Sequence, residues 1–301
     1  MVYPDRQFPE RKNSACVKLN GPFAESATML LPSGPIGIFD SGVGGLSVLR
    51  HIRTQLPTET LIYFADSGYA PYGDKPEEFV IERAFRIAGF LLEQDIKALV
   101  VACNTATAAA IHLLRDKYPD LPIVGVEPGL KPAAAKTITG IVGVMATKRT
   151  LASNKFHVLH QLLNDQTGVH FIMQPCHGMA DLIEHAELDS EAIFSLVRRY
   201  LVPLLEQKAD TIVLGCTHYP FVRHVIEKVA AEYGNRALNI IDTGYAVARQ
   251  LKHLLDIYDL NCREKISATA IQVFTSGNPE TISLLITRLL QASIPVSYVS
   301  L

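Results

Sequence analysis

Apolar runs of four or five residues recur along the chain, each followed by a polar turn and then by apolar positions spaced three and four apart. Such a run predicts a strand buried on both faces, and the three-four spacing predicts an amphipathic helix. The first strand is predicted over residues 36–39; it ends in Asp40, Ser41 and the glycine-rich stretch 42–45, before a helix with Leu46, Leu49 and Ile52 inward. Residues 61–64 form the next, ending in Ala65, Asp66 and Ser67, and a loop rich in turn formers covers 68–76. A helix is predicted over 77–93 with Phe79, Ala84, Ile87 and Leu91 inward, then strands at 98–102 and 123–126.

The second half repeats the scheme. Strands are predicted at 140–145, 169–173, 211–214, 239–241 and 271–275, with a helix carrying Phe156, Leu159 and Leu163 and a long helical stretch reaching Gln207. Alternating strands and helices mean βαβ units and a parallel sheet covered on both faces, with ligands bound outside the carboxyl ends of the strands. The turns allow an alignment of the halves. Asp40 lies 63 positions before Cys103, and Thr147 lies 69 before Cys216. We read an internal duplication. The expected fold class is α/β, with two pseudo-symmetric parallel-sheet domains and the active site in the cleft between them. The expected layout is an extension over 1–34, a first domain of 35–131 plus 240–301 carrying Cys103, and a second of 132–239 carrying Cys216.

Composition narrows the function. A net charge of −2 offers no broad basic surface to nucleic acid or anionic lipid. No apolar run approaches the roughly 20 residues that span a bilayer. Near the N-terminus the run Met29, Leu30, Leu31 is cut by Pro32, too short for a signal peptide, so a cytoplasmic location is expected. The five cysteines (16, 103, 176, 216 and 262) are scattered and lack a CxxC, which argues against a disulfide framework and against a structural zinc site.

Two of those cysteines carry the candidate chemistry. Cys103 follows the run LVVA and precedes Asn104, Thr105 and an alanine-rich helix; Cys216 follows IVLG and precedes Thr217 and His218. A thiol at a helix N-terminus sees unpaired N–H groups and the positive end of the macrodipole, which predicts a lowered thiol pKa. His218 is placed to move the proton of Cys216. A hydrolase needs only one cysteine. Two opposed thiols suit inversion at carbon, one taking a proton from one face while the other delivers a proton to the opposite face.

The stretches IGIFDSGVGGLSVL, APYGDK, VVACNTATA and VLGCTHYP, in this order and spacing, closely resemble the cofactor-independent glutamate racemases of bacteria. That resemblance spans roughly residues 35–255. It implies interconversion of L- and D-glutamate, supplying D-glutamate for peptidoglycan, with Cys103 and Cys216 as the two bases and no metal or other cofactor. It assigns Asp40, His218 and Glu184 as assisting catalytic groups. It assigns Asp40, Ser41, Tyr72, Gly73, Asn104, Thr105, Thr147, Thr217 and His218 to substrate. Some similar enzymes of proteobacteria respond to UDP-N-acetylmuramoyl-L-alanine, and Lys131, Lys136, Lys148 and Arg149 are either a nucleotide site or solvated surface. A homodimer is the family-level expectation. The other readings are a racemase for aspartate or another amino acid, a binding protein on a decayed racemase scaffold, and a one-cysteine hydrolase.

Other signals are weaker. The glycines at 42, 44 and 45 lack the third glycine of a dinucleotide loop, and fit a turn that approaches substrate or the facing domain. Asp242-Thr243-Gly244 occurs once and sits in an α/β turn. His157 and His160 share a helix face and are expected to pack or face solvent. Cys176 and His177 are expected to be structural.

Overall fold

Ten short strands, nearly all with apolar interiors, order the chain among the residues described by the computed structural model, which are 30–235, 237–262 and 270–301. They are β1 (Ile36–Asp40), β2 (Leu61–Ala65), β3 (Ala98–Val101), β4 (Ile123–Gly125), β5 (Ile141–Ala146), β6 (His170–Pro175), β7 (Thr211–Gly215), β8 (Asn239–Ile241), β9 (Ile271–Thr275) and β10 (Val296–Tyr298). Six make one sheet in the order β10-β9-β2-β1-β3-β4, and four make a second in the order β6-β5-β7-β8. Every pairing is parallel. All residues of β1, β2, β3 and β7 are buried, as strands covered on both faces must be. Alternation then splits the second core: Ile212 and Leu214 pack on one face of their sheet, Val213 on the other.

The order β2-β1-β3-β4 recurs as β6-β5-β7-β8, the pattern the duplication predicts. The register sharpens the alignment. Asp40 pairs with Ala65 where Ala146 pairs with Pro175, and the Asp66 amide donates to Asp40 O as the Cys176 amide donates to Ala146 O. So Asp40 corresponds to Ala146, not to Thr147. Ser41 matches Thr147, Asp66 matches Cys176, and Cys103 matches Cys216.

Both expected domain junctions fall inside elements. The change at 131/132 lies within the helix Leu130–Lys136, whose Leu130 and Ala133 are buried in the core of the second sheet. The change at 239/240 lies within β8, which pairs with β7. At the N-terminal end Leu30 is buried in the first core, and Lys97 Nζ donates to Pro32 O. Residues 1–29 of the expected extension lie outside the described residues. Strand β10 was not anticipated; three residues at a sheet edge, two of them exposed, carry too little periodicity.

Candidate active site

The polar turns that follow β1, β2 and β3 meet those that follow β5, β6 and β7. Thr217 Oγ1 donates to Asp40 Oδ1 at 3.4 Å, Ser47 Oγ donates to Thr217 O at 2.8 Å, and the hydroxyls of Thr105 and Thr147 lie 3.2 Å apart. The carboxyl ends of the two sheets thus form one site. Asp40, Ser41, Cys103, Asn104, Thr105, Cys216, Thr217 and His218 are all buried in it.

Cys103 caps the helix Asn104–Lys117. Its sulfur accepts the Ala106 N–H at 3.4 Å and donates to Ser41 Oγ at 3.7 Å. The expected lowering of this thiol's pKa does not occur. Burial pushes it well above the usual thiol value and the charge of Asp40 adds to that, outweighing the Ala106 and Ser41 bonds. Asp40 is fully buried, with Oδ2 accepting the Gly45 N–H at 2.9 Å. Burial raises its pKa above the ordinary carboxylate range, against the opposing charge of His218 and the Gly45 bond. Beside them Asn104 Oδ1 is buried with no hydrogen-bond partner among the described residues, an acceptor left for a ligand's donor.

The Cys216 side is built differently. Its sulfur lies 3.6 Å from His218 Nδ1, and His218 Nε2 lies 2.7 Å from Glu184 Oε2. Glu184, at the end of the helix Met179–Glu184, also accepts the Val43 N–H at 3.0 and 3.2 Å and the Ser67 hydroxyl at 2.9 Å. Burial alone would raise this carboxylate's pKa, but the bond to His218 and its charge, then Val43 and Ser67, hold it below the usual range. Burial likewise opposes the imidazolium, yet Cys216 and Glu184 together lift His218 well above the ordinary histidine value. The result is a buried histidine held between the Glu184 carboxylate and the Cys216 sulfur. Cys216 leads into a short 3-10 segment, Tyr219–Val222, rather than directly into an α-helix as Cys103 does.

The glycine turn serves the facing half. A Cβ at Gly42 would sit 2.2 Å from Glu184 Oε1, and one at Gly44 would sit 2.4 Å from His218 Nδ1. Only bare backbone fits there. Of the loop pair, the Tyr72 side chain is buried with its hydroxyl bonded to Asp66, so the loop presents backbone at Gly73, where a Cβ would lie 3.2 Å from Thr147 Cβ. Asp66 is also held by Arg83 at 2.7 and 2.9 Å and by Ser276 at 2.6 Å.

The remaining signals are packing. Cys176 is buried, its carbonyl accepting Tyr219 Oη at 3.3 Å, and His177 O accepts Tyr200 Oη at 2.8 Å. His160 stacks on Phe156. Asp242 caps its own turn by accepting the Gly244 N–H at 2.8 Å. No cluster of metal-ligating side chains occurs among the described residues. Sequence reasoning missed two groups that touch the site, Val43 N–H and Ser67. A backbone amide leaves no sequence signal, and a serine in a turn is common.

Residues 36–251 match the model of the Asp/Glu/Hydantoin racemase family. A glutamate racemase of Pseudomonas putida is 50% identical over 251 residues, covering 83% of this chain and 91% of its own length. The crystal structure of a glutamate racemase isoform from Bacillus anthracis superposes with a TM-score of 0.78 at 32% identity, over 89% of this chain and 98% of that one. The Escherichia coli glutamate racemase, in complex with L-glutamate and the activator UDP-MurNAc-ala, superposes with a TM-score of 0.73 at 33% identity, over 88% of this chain and 97% of that one.

Proposed function

This chain belongs to the Asp/Glu/Hydantoin racemase family, and on that premise we propose that it interconverts L- and D-glutamate by passing the Cα proton between two cysteines. The observation that carries the reading is the placement of Cys103 and Cys216 on equivalent strand ends, each beside a different proton partner. One thiolate removes the Cα proton, leaving a carbanion stabilised by the α-carboxylate. The opposite thiol protonates the other face, and the two exchange roles in the reverse direction. Asp40 receives and returns the Cys103 proton; its own raised pKa makes it the stronger base for that task. His218, braced by Glu184, does the same for Cys216.

The hydroxyls of Ser41, Thr105 and Thr217 and the backbone of Gly73 are the donors for the two substrate carboxylates, and Asn104 Oδ1 is an acceptor for the α-ammonium. The two thiols supply both proton steps, so the reading requires no cofactor. Two domains meeting at this cleft, joined through residues 126–129 and 242–243, are part of the same proposal. Closure around substrate would exclude water from the carbanion. The product fits a cytoplasmic supply of D-glutamate to peptidoglycan; no helix among the described residues is long and apolar enough to cross a membrane. A homodimer is the expected assembly.

The test is incubation of the purified protein with L-glutamate in deuterated water without added cofactor. D-glutamate labelled at Cα is expected. Label entering aspartate and not glutamate would overturn the assignment. The Escherichia coli neighbour suggests activation by UDP-N-acetylmuramoyl-L-alanine as well, through the basic residues 131, 136, 148 and 149; an unchanged rate on its addition would remove that part.

A further inference from the structure

The turn after β2 has no place in the proton path, yet it reaches the path. Ser67 lies outside the set of groups that face the two sulfurs, and its hydroxyl donates to Glu184 Oε1 at 2.9 Å. Glu184 belongs to the unit of the second sheet, 117 positions away in sequence. Its second anchor, the Val43 N–H, also comes from the first unit. Among the described residues, His218 at 2.7 Å is the one side chain that binds it from its own side. The carboxylate that braces the Cys216 relay is therefore held largely by the opposite domain. Gly42 leaves the room for it, since a Cβ there would overlap both carboxylate oxygens.

Ser67 is itself held firmly. Its neighbour Asp66 is buried between Arg83, Tyr72 and Ser276, and the Gly68 N–H donates to Ser276 Oγ at 3.1 Å. A hydroxyl on so fixed a turn imposes its position on its partner. Separation of the two units would cost Glu184 its bonds to Ser67 and Val43 together and would leave it the bond to His218. Resting on the glutamate racemase reading, we propose that Ser67 is a positioning residue for the Cys216 half-site. It fixes Glu184 from across the cleft, so that the Glu184–His218–Cys216 relay is complete only in the closed enzyme. The Cys103 half-site depends on the cleft far less, because Asp40 Oδ2 is held at 2.9 Å by Gly45 of its own turn and only the longer 3.4 Å bond from Thr217 to Oδ1 crosses from the facing half.

Ser67→Ala and Ser67→Thr test this. A hydrogen bond to a charged group is worth about 1.5–3 kcal/mol, which sets an expected fall in kcat of about tenfold or more for Ser67→Ala. KM should change little, and Ser67→Thr should restore the rate. Primary isotope effects with Cα-deuterated L- and D-glutamate give the decisive readout. Weakening one relay raises the effect for the enantiomer that Cys216 deprotonates and lowers it for the other. A Ser67→Ala enzyme with wild-type kcat, or one slowed with both isotope effects shifted equally, overturns the proposal. A wild-type enzyme inactive on both glutamate enantiomers would instead overturn the functional reading on which it rests.

Discussion

The two half-sites share a backbone and differ in chemistry. The same strand order delivers Cys103 and Cys216 to equivalent positions. Beyond the cysteines the likeness stops. Where the first half has Asp40 the second has Ala146, and where the first has Asp66 the second has Cys176. The second half takes its carboxylate from Glu184, on a later helix, and inserts His218 between carboxylate and sulfur. Repetition of the fold places two thiols at equivalent strand ends, and divergence of neighbouring residues surrounds them with different polar groups. The substrate is not symmetric either, because its carboxylates must stay fixed while the proton changes face. Matched bases would serve that asymmetry no better than unmatched ones.

Removing either sulfur should have the largest effect. Cys103→Ser and Cys216→Ser are each expected to lower kcat by about 10²–10⁴-fold, the worth of a positioned acid or base. Full racemase activity in either variant would break the idea that both halves are used.

Replacing the partners should sharpen the comparison. Asp40→Asn and His218→Gln should each slow turnover by about 10²-fold, with isotope effects skewed toward opposite enantiomers; the same skew from both would contradict separate half-sites. The two substitutions should also move stability at neutral pH in opposite directions, although both groups make the wild type less stable as pH rises. Asp40 has a raised pKa in the fold, so its ionisation weakens the protein as pH rises past the ordinary carboxylate value, and Asp40→Asn should be the more stable protein at neutral pH. His218 is raised above its unfolded value. Its imidazolium therefore contributes fully below about pH 6.5 and the contribution is lost as pH rises through the raised value. Urea midpoints across pH should show that alkaline decline in the wild type and a flatter profile in His218→Gln.

The smallest effect on turnover concerns the equivalent turns after β2 and β6, where stability moves instead. Asp66→Ala takes from buried Arg83 its carboxylate partner and should cost about 3–5 kcal/mol of stability. Cys176→Ala removes one buried sulfur, and should cost about 1–2 kcal/mol while leaving kcat within a few-fold. Urea unfolding of the two variants checks the difference, and a large kcat loss in Cys176→Ala would give that thiol a role beyond packing.

Much of this was legible in the chain. Strands buried on both faces are continuous apolar runs, so eight of the predicted strands needed no tertiary knowledge beyond one-residue shifts at their ends. Cys103, Asn104, Thr105, Cys216, Thr217 and His218 follow strand ends directly, so their place at the ligand edge followed from topology. Phe79 was expected inward but is only half-buried, packing its ring against Tyr69 and Tyr72 in the loop above. The alignment of Asp40 with Thr147 was one residue out, because turn composition does not set register and the paired strands do. The pKa of Cys103 was read in the wrong direction. Its helix cap is visible in the sequence, but its burial beside Asp40 depends on how the facing half closes over it.

By itself the sequence determined the alternation of strand and helix, its repetition in the second half and the two cysteine turns, because each is a matter of local pattern and spacing. Tertiary structure decided which acid serves which sulfur. Glu184 reaches His218, Val43 and Ser67 only because the carboxyl ends of the two sheets meet. Hydrogen bonds spanning more than a hundred positions, and the desolvation that sets each group's charge, are properties of that meeting and have no local signature.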